Sequence, residues 1–129
     1  MSMSVFLCIA VIALLLAAGL AVDGAAQAAA RRTCQTAAAQ VARIGVDAAA
    51  STRLDLSPGQ AGAVAVSAAR RAAADLHPGL TMTAEVGRDG RLHVQATTRI
   101  GTLFLGLAGI HELSASGKAT AELRPRDAP

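Results

Sequence analysis

The first 22 residues carry no charged side chain, and Val5–Val22, VFLCIAVIALLLAAGLAV, is apolar at nearly every position. Charge returns at Asp23, yet the stretch that follows to Ala50 contains no proline and consists mostly of strong helix formers. The pattern predicts one continuous helix from about Val5 to about Ala50, ~70 Å long. Its apolar half would span roughly 27 Å, close to the roughly 30 Å hydrocarbon core of a bilayer. In the half that projects beyond, Ala26, Ala30, Cys34, Ala37, Val41, Ile44, Gly45 and Ala48 share about one third of the helix circumference. Arg32, Thr36, Gln40, Arg43 and Asp47 gather on another side. Small side chains let a sheet or a second helix approach closely, so this stripe is the candidate packing or assembly face. Asp23 and Gly24 mark the exit from the membrane.

The segment Ser51–Gln60, STRLDLSPGQ, interrupts the helical pattern. Ser57 reads as an N-cap, with Pro58 at the first helical position and Gln60 at the capping-box position. The second helix then places Ala61, Val64, Ala65, Ala68, Ala72 and Leu76 on its apolar side and ends at His77-Pro78-Gly79. Period 2 follows. Leu80, Met82, Ala84 and Val86 alternate with Thr81, Thr83 and Glu85; Gly87–Gly90 supplies a turn; Leu92, Val94 and Ala96 alternate with His93, Gln95 and Thr97. Leu113–Leu123 fits a third antiparallel strand, and Arg124–Pro129 a frayed tail. Between the last two strands runs IGTLFLGLAGI, Ile100–Ile110, too short to cross a bilayer. Packing under the sheet is its expected use, with contact at the membrane surface as the alternative.

Composition narrows the class. At 129 residues the chain holds one small domain plus its anchor, and the part beyond the first helix is marginal for a core of its own. The apolar fraction of 53% is largely alanine and aromatics are 2%, so the sheet needs the long helix as a cover. The net charge of +3 is dispersed, and without tyrosine or tryptophan there is no base-stacking platform; nucleic acid is not an expected partner. Cys8 and Cys34 lie ~39 Å apart on one helix, beyond disulfide reach, and Cys34 is expected as a small buried thiol, with pairing between copies as the alternative.

Candidate chemistry adds little. His77, His93 and His111 lack metal-ligand spacing, there is no HExxH or CxxC, and no serine has a nucleophile-elbow setting. No catalytic, cofactor or metal residue is assigned, and neither an enzymatic activity nor a small-molecule substrate is expected. A cleaved secretory signal needs a basic n-region that Met1-Ser2-Met3-Ser4 does not provide, although Gly19-Leu20-Ala21 resembles a cleavage point. The retained helix is the preferred reading; a small secreted binding module with a cleaved first helix is the alternative. A lipoprotein anchor at Cys8 lacks the small residue expected before the cysteine. Within the apolar block, Ala13, Ala17 and Ala21 recur every fourth residue, a spacing that favours contact between membrane helices.

The block ending GLAVDGAAQAAARRTCQTAAAQVARIG resembles the N-terminal helix of TadE/TadG-like proteins of Flp (Tad) pilus assembly, of the actinobacterial type. The tail TLFLGLAGIHELSASGKATAEL is similar to the closing segment of that family. The resemblance implies a pilin-like accessory protein of a pilus or secretion apparatus, with partners in that apparatus engaged through the N-terminal helix. The implied architecture is α+β. Residues 1–24 form a transmembrane segment, and 25–129 a small extracytoplasmic domain with a second helix and a three-stranded antiparallel sheet. Two features depart from processed pilins. No glycine precedes Gly19 and no glutamate precedes Glu85, so prepilin-peptidase cleavage is not supported. Arg31 and Arg32 lie on the domain side of the span, which by the positive-inside rule alone would place the domain in the cytoplasm. The resemblance implies the opposite orientation.

Overall fold

The structure is a computed structural model that describes residues 2–52 and 57–123. Two helices, α1 (Met3–Ser51) and α2 (Pro58–Leu76), precede three strands, β1 (Thr81–Val86), β2 (Arg91–Gly101) and β3 (Glu112–Glu122). The strands form one antiparallel sheet in the order β1-β2-β3. This is the α+β architecture expected from the pattern of the chain. Four positions of the expected break after Ser51, 53–56, and the expected tail Arg124–Pro129 lie outside the described residues.

α1 runs for 49 residues without interruption, about 74 Å. It is long and apolar enough to cross a membrane, and its most apolar stretch is almost entirely exposed. Phe6, Leu7, Leu14, Leu15 and Leu16 all project outward with no protein against them. The far half is the opposite case. There α1 lies over β2 and β3 on one side and against α2 on the other, and α2 also covers β1. Both helices occupy the same face of the sheet. The core between them is built from Cys34, Ala38, Val41, Ala42, Ala65, Ala69, Leu92, Val94 and Ala96. A sheet of this size cannot bury its apolar face alone, so the helix that carries the exposed apolar half is also the central core element.

Local chemistry accounts for the boundaries. At the start of α2, the Ser57 N–H donates to Gln60 Oε1 at 2.9 Å, satisfying a group that the helix leaves unpaired. The β1–β2 turn closes with the Gly87 N–H on the Arg91 carbonyl at 2.9 Å, and Gly90 takes a φ of 72°, a left-handed conformation that suits glycine. Alternation places Ala84, Leu92, Val94, Ala96 and Ala115 inward, while Thr81, Thr83, Glu85 and Gln95 face outward. In register, Leu92 pairs with Val86 on one side and Ala121 on the other.

Some expectations are corrected. Ala26 is exposed, and Ala30, Ile44 and Ala48 are only partly covered. Ala38, Ala42 and Ala49 are buried instead, alongside Cys34, Ala37, Val41 and Gly45. The reason is geometric: α2 and the sheet press on α1 from two directions, so the buried arc is wider than a single stripe and displaced from it. On α2 the deepest residues are Ala61, Ala65 and Ala69, whereas Ala68 is partly buried and Leu76 is 49% exposed beyond the last covered turn. The largest departure is Ile100–Ile110. It does not pack beneath the sheet. Ile100 and Gly101 complete β2, and Thr102–Ile110 then leaves it as a loop containing one 3-10 turn, Leu105–Ala108, with Leu103, Phe104, Leu107 and Ile110 exposed.

Candidate functional site

Asp23 is the one buried charged or polar side chain among the described residues, 3% exposed. It sits where the apolar half of α1 gives way to the half that enters the core. Its carboxylate accepts three backbone N–H groups from the loop 80 to 82 positions further along the chain. Leu103 donates to Oδ1 at 3.0 Å, and Phe104 and Leu105 donate to Oδ2 at 3.0 and 2.8 Å. Phe104 and Leu105 open the 3-10 turn and Leu103 immediately precedes it, so the carboxylate acts as an N-terminal cap supplied from another element. Hydrogen bonds to an ionised acceptor are the stronger kind. This is what fastens the loop to the helix.

One turn earlier on α1, about 6 Å along the axis, Gly19 is buried under the Phe104 ring. A Cβ at position 19 would lie 2.5 Å from Phe104 Cγ, so only glycine permits the ring to sit on the helix backbone. Asp23 and Gly19 thus form a two-point clamp, polar and apolar. Gly24, by contrast, has open space around it and takes no part.

A second seam runs along β3, one of the two edge strands. α1 covers this edge: the Gln35 amide donates to the Lys118 carbonyl at 2.6 Å, and the Lys118 N–H donates to Gln35 Oε1 at 3.1 Å. Gln27, two turns earlier, donates to the Ser114 carbonyl at 3.3 Å. The Cys34 sulfur is fully buried between them, 3.6 Å from the Ala115 carbonyl oxygen. Gly117 lies directly against the α1 backbone at Cys34–Gln35. Side chains on a helix therefore occupy edge hydrogen-bonding groups that would otherwise be open to another strand.

The predicted face divides between these places. Cys34, Ala37, Val41 and Gly45 are in the core, with Gly45 at the α1–α2 crossing, where a Cβ would lie 2.8 Å from the Ala65 carbonyl oxygen and 2.7 Å from Leu92. Ala26 faces outward. Sequence reasoning identified Asp23 but not its partners, and it did not single out Gly19, Gln27, Gln35 or Phe104. A usable signal existed for the glutamines, which are uncharged polar residues eight apart beside the Cys34 stripe.

Two of the three histidines are held in ordinary pairings. His77 Nε2 meets Gln40 Oε1 at 3.2 Å, and His93 lies between Asp89 and Thr120, at 3.2 Å from each. At the β1–β2 turn, the Arg91 N–H and His93 hold the Asp89 carboxyl below the usual carboxylate range. Among the described residues no three His, Cys, Asp or Glu side chains converge as a metal site. The open groove between α2 and β1, about 570 Å³, is lined in part by Arg70, His77, Met82 and Glu85. Comparison with protein-family models, curated proteins and solved structures finds no match. The arrangement itself is what bears on function: a charged clamp at the point where an apolar helix becomes a domain core.

Proposed function

We propose that this chain is a membrane-anchored, non-enzymatic structural component of a Flp/Tad-type pilus or secretion apparatus. In this reading α1 crosses the cytoplasmic membrane once, and the domain it enters stands outside. The carrying observation is the division of labour along α1. Val5–Val22 is apolar on every side and exposed apart from Gly19 under Phe104 and the partly covered Ala10, whereas Cys34–Ala49 supplies the middle of the core. An anchor joined by a linker can be moved without disturbing its domain. Here the anchor and the core share one helix, so a displacement of the membrane half is transmitted directly to the fold. That coupling suits a subunit that holds or is held by a larger machine. The resemblance of the helix and of the closing segment to TadE/TadG-like proteins supports the same reading.

The clamp bears on the alternative of a secreted module. A cut after Ala21 would remove Gly19, the surface on which Phe104 rests, and leave Asp23 at a frayed terminus. The contact favours retention of the helix. Within the membrane, the Ala13, Ala17 and Ala21 side offers a close-packing surface to helices of the apparatus.

Affinity purification from detergent-solubilised membranes, followed by identification of co-purifying proteins, tests the proposal. Recovery with inner-membrane components of a pilus or secretion apparatus is the expected result. Recovery from the soluble fraction, or from membranes without such components, would overturn it.

A further inference from the structure

We propose that the Thr102–Ile110 loop is a second membrane contact, inserted into the lipid surface beside α1 and held at that depth by Asp23. The proposal rests on the reading that Val5–Val22 remains in the bilayer. Three observations carry it.

The first is position. Phe104 sits on Gly19, one turn inside the apolar block, so any placement that puts Val5–Val22 in hydrocarbon puts Phe104 there as well. The second is surface. Leu103 is 74% exposed, Leu107 87%, Ile110 47% and Phe104 45%, on a stretch that carries no charge from Ile100 to Ile110. Contiguous exposed side chains of this size are a liability in water and mark an interaction surface. The lipid beside the apolar half of the same helix is an immediate neighbour for them.

The third is the backbone. A chain segment entering lipid must satisfy its own polar groups, because no water is there to do so. The N–H groups of Leu103, Phe104 and Leu105 are taken by Asp23. Those of Leu107, Gly109 and Ile110 bond to carbonyls inside the loop, at 3.1, 3.1 and 3.0 Å. At the neck, the Thr102 N–H donates to the His111 carbonyl at 3.0 Å and the Thr102 hydroxyl to the Ile110 carbonyl. The loop presents apolar side chains outward while its N–H groups are largely used within the chain. Asp23 serves two ends: it caps the turn, and its charge is covered by amides at the boundary with lipid. Loops and amphipathic segments of this kind bury their apolar face ~5–10 Å into the interface. Such a contact would fix the domain's tilt and height above the membrane.

The chain has no tryptophan or tyrosine, so a single introduced tryptophan reports its own surroundings. The full chain is reconstituted into phosphatidylcholine–phosphatidylglycerol vesicles, with and without lipids brominated on the acyl chains. Leu107→Trp reports the loop, Leu14→Trp the helix, and Arg88→Trp the exposed β1–β2 turn. Leu107→Trp is expected to show blue-shifted emission and to lose most of it in brominated vesicles, as Leu14→Trp does, while Arg88→Trp is unaffected. If Leu14→Trp is quenched by bromolipid but Leu107→Trp only by aqueous acrylamide, the loop proposal falls and the anchor stands. A blue-shifted Leu107→Trp that bromolipid does not quench would place a protein surface over the loop and also overturns lipid insertion. If Leu14→Trp is not quenched, the membrane reading fails and the loop proposal with it.

Discussion

Replacing Gly117 by alanine should open the seam between β3 and α1. A Cβ at this position would overlap the Gln35 nitrogen and lie 2.5 Å from the Cys34 carbonyl carbon and 2.6 Å from Gln35 Cα. All three are backbone atoms of a helix in the core, so no flexible side chain can move aside. β3 would have to retreat, against the paired Gln35–Lys118 hydrogen bonds of 2.6 and 3.1 Å. Overpacking of this kind costs ~1–3 kcal/mol, and weakening the Gln35 pair adds ~1 kcal/mol. The sum, ~2–4 kcal/mol, corresponds to a rise of ~30- to 1000-fold in the open population. Cys34 is fully buried under this seam and reports it directly. In a Cys8→Ser background, the maleimide labelling rate of Cys34 in the detergent-solubilised full chain should rise by that factor in Gly117→Ala. Gly24→Ala, where nothing lies within 4 Å, should leave labelling unchanged or slightly slower, since alanine is the better helix former. Equal labelling rates in the parent and Gly117→Ala would refute the tight packing inferred here.

Three further outcomes follow from other parts of the fold. Ala37→Leu, at a position 1% exposed, should destabilise the domain by ~1–3 kcal/mol, whereas Thr36→Leu on the exposed side should change stability by no more than ~0.5 kcal/mol; thermal unfolding of the full chain in detergent separates them. Asp23→Asn should accelerate amide hydrogen exchange at Phe104 and Leu105, which share Oδ2, and unchanged exchange there would remove the clamp from the account. Because the Asp89 carboxyl is held below its ordinary value in the folded chain, its contribution to stability is complete above the usual carboxylate range and is lost as pH falls through the lowered value. Asp89→Asn should therefore remove part of the acid dependence of the melting temperature while leaving the neutral-to-basic limb parallel to the parent's.

The sequence was most informative where one periodicity dominated. Leu92, Val94 and Ala96 alternate with polar neighbours, and a one-residue slip would have turned all of them to water, so the β1–β2 register follows from the pattern. Ser57 and Gln60 mark the start of α2 through a specific hydrogen bond. The buried arc of α1 was less legible because alanine occurs on all its sides. Exchanging Ala48 for Ala49 alters the apolar pattern hardly at all, yet Ala49 is buried and Ala48 only partly covered, and only the positions of α2 and the sheet decide between them. The loop was misplaced for a different reason. A short apolar run reads alike whether it fills a core or faces a membrane, and Leu103 and Leu107 carry no mark of which. Asp23 could be noticed but not explained, since its partners are backbone N–H groups that any sequence possesses.

The central claim is that one uncut helix is both the membrane anchor and the core of the domain. Intact-mass measurement of the protein recovered from carbonate-washed membranes tests this most directly. A mass that includes Val5–Val22, in the membrane fraction, is the predicted result. A species that begins after Ala21, released from the membrane, would contradict it.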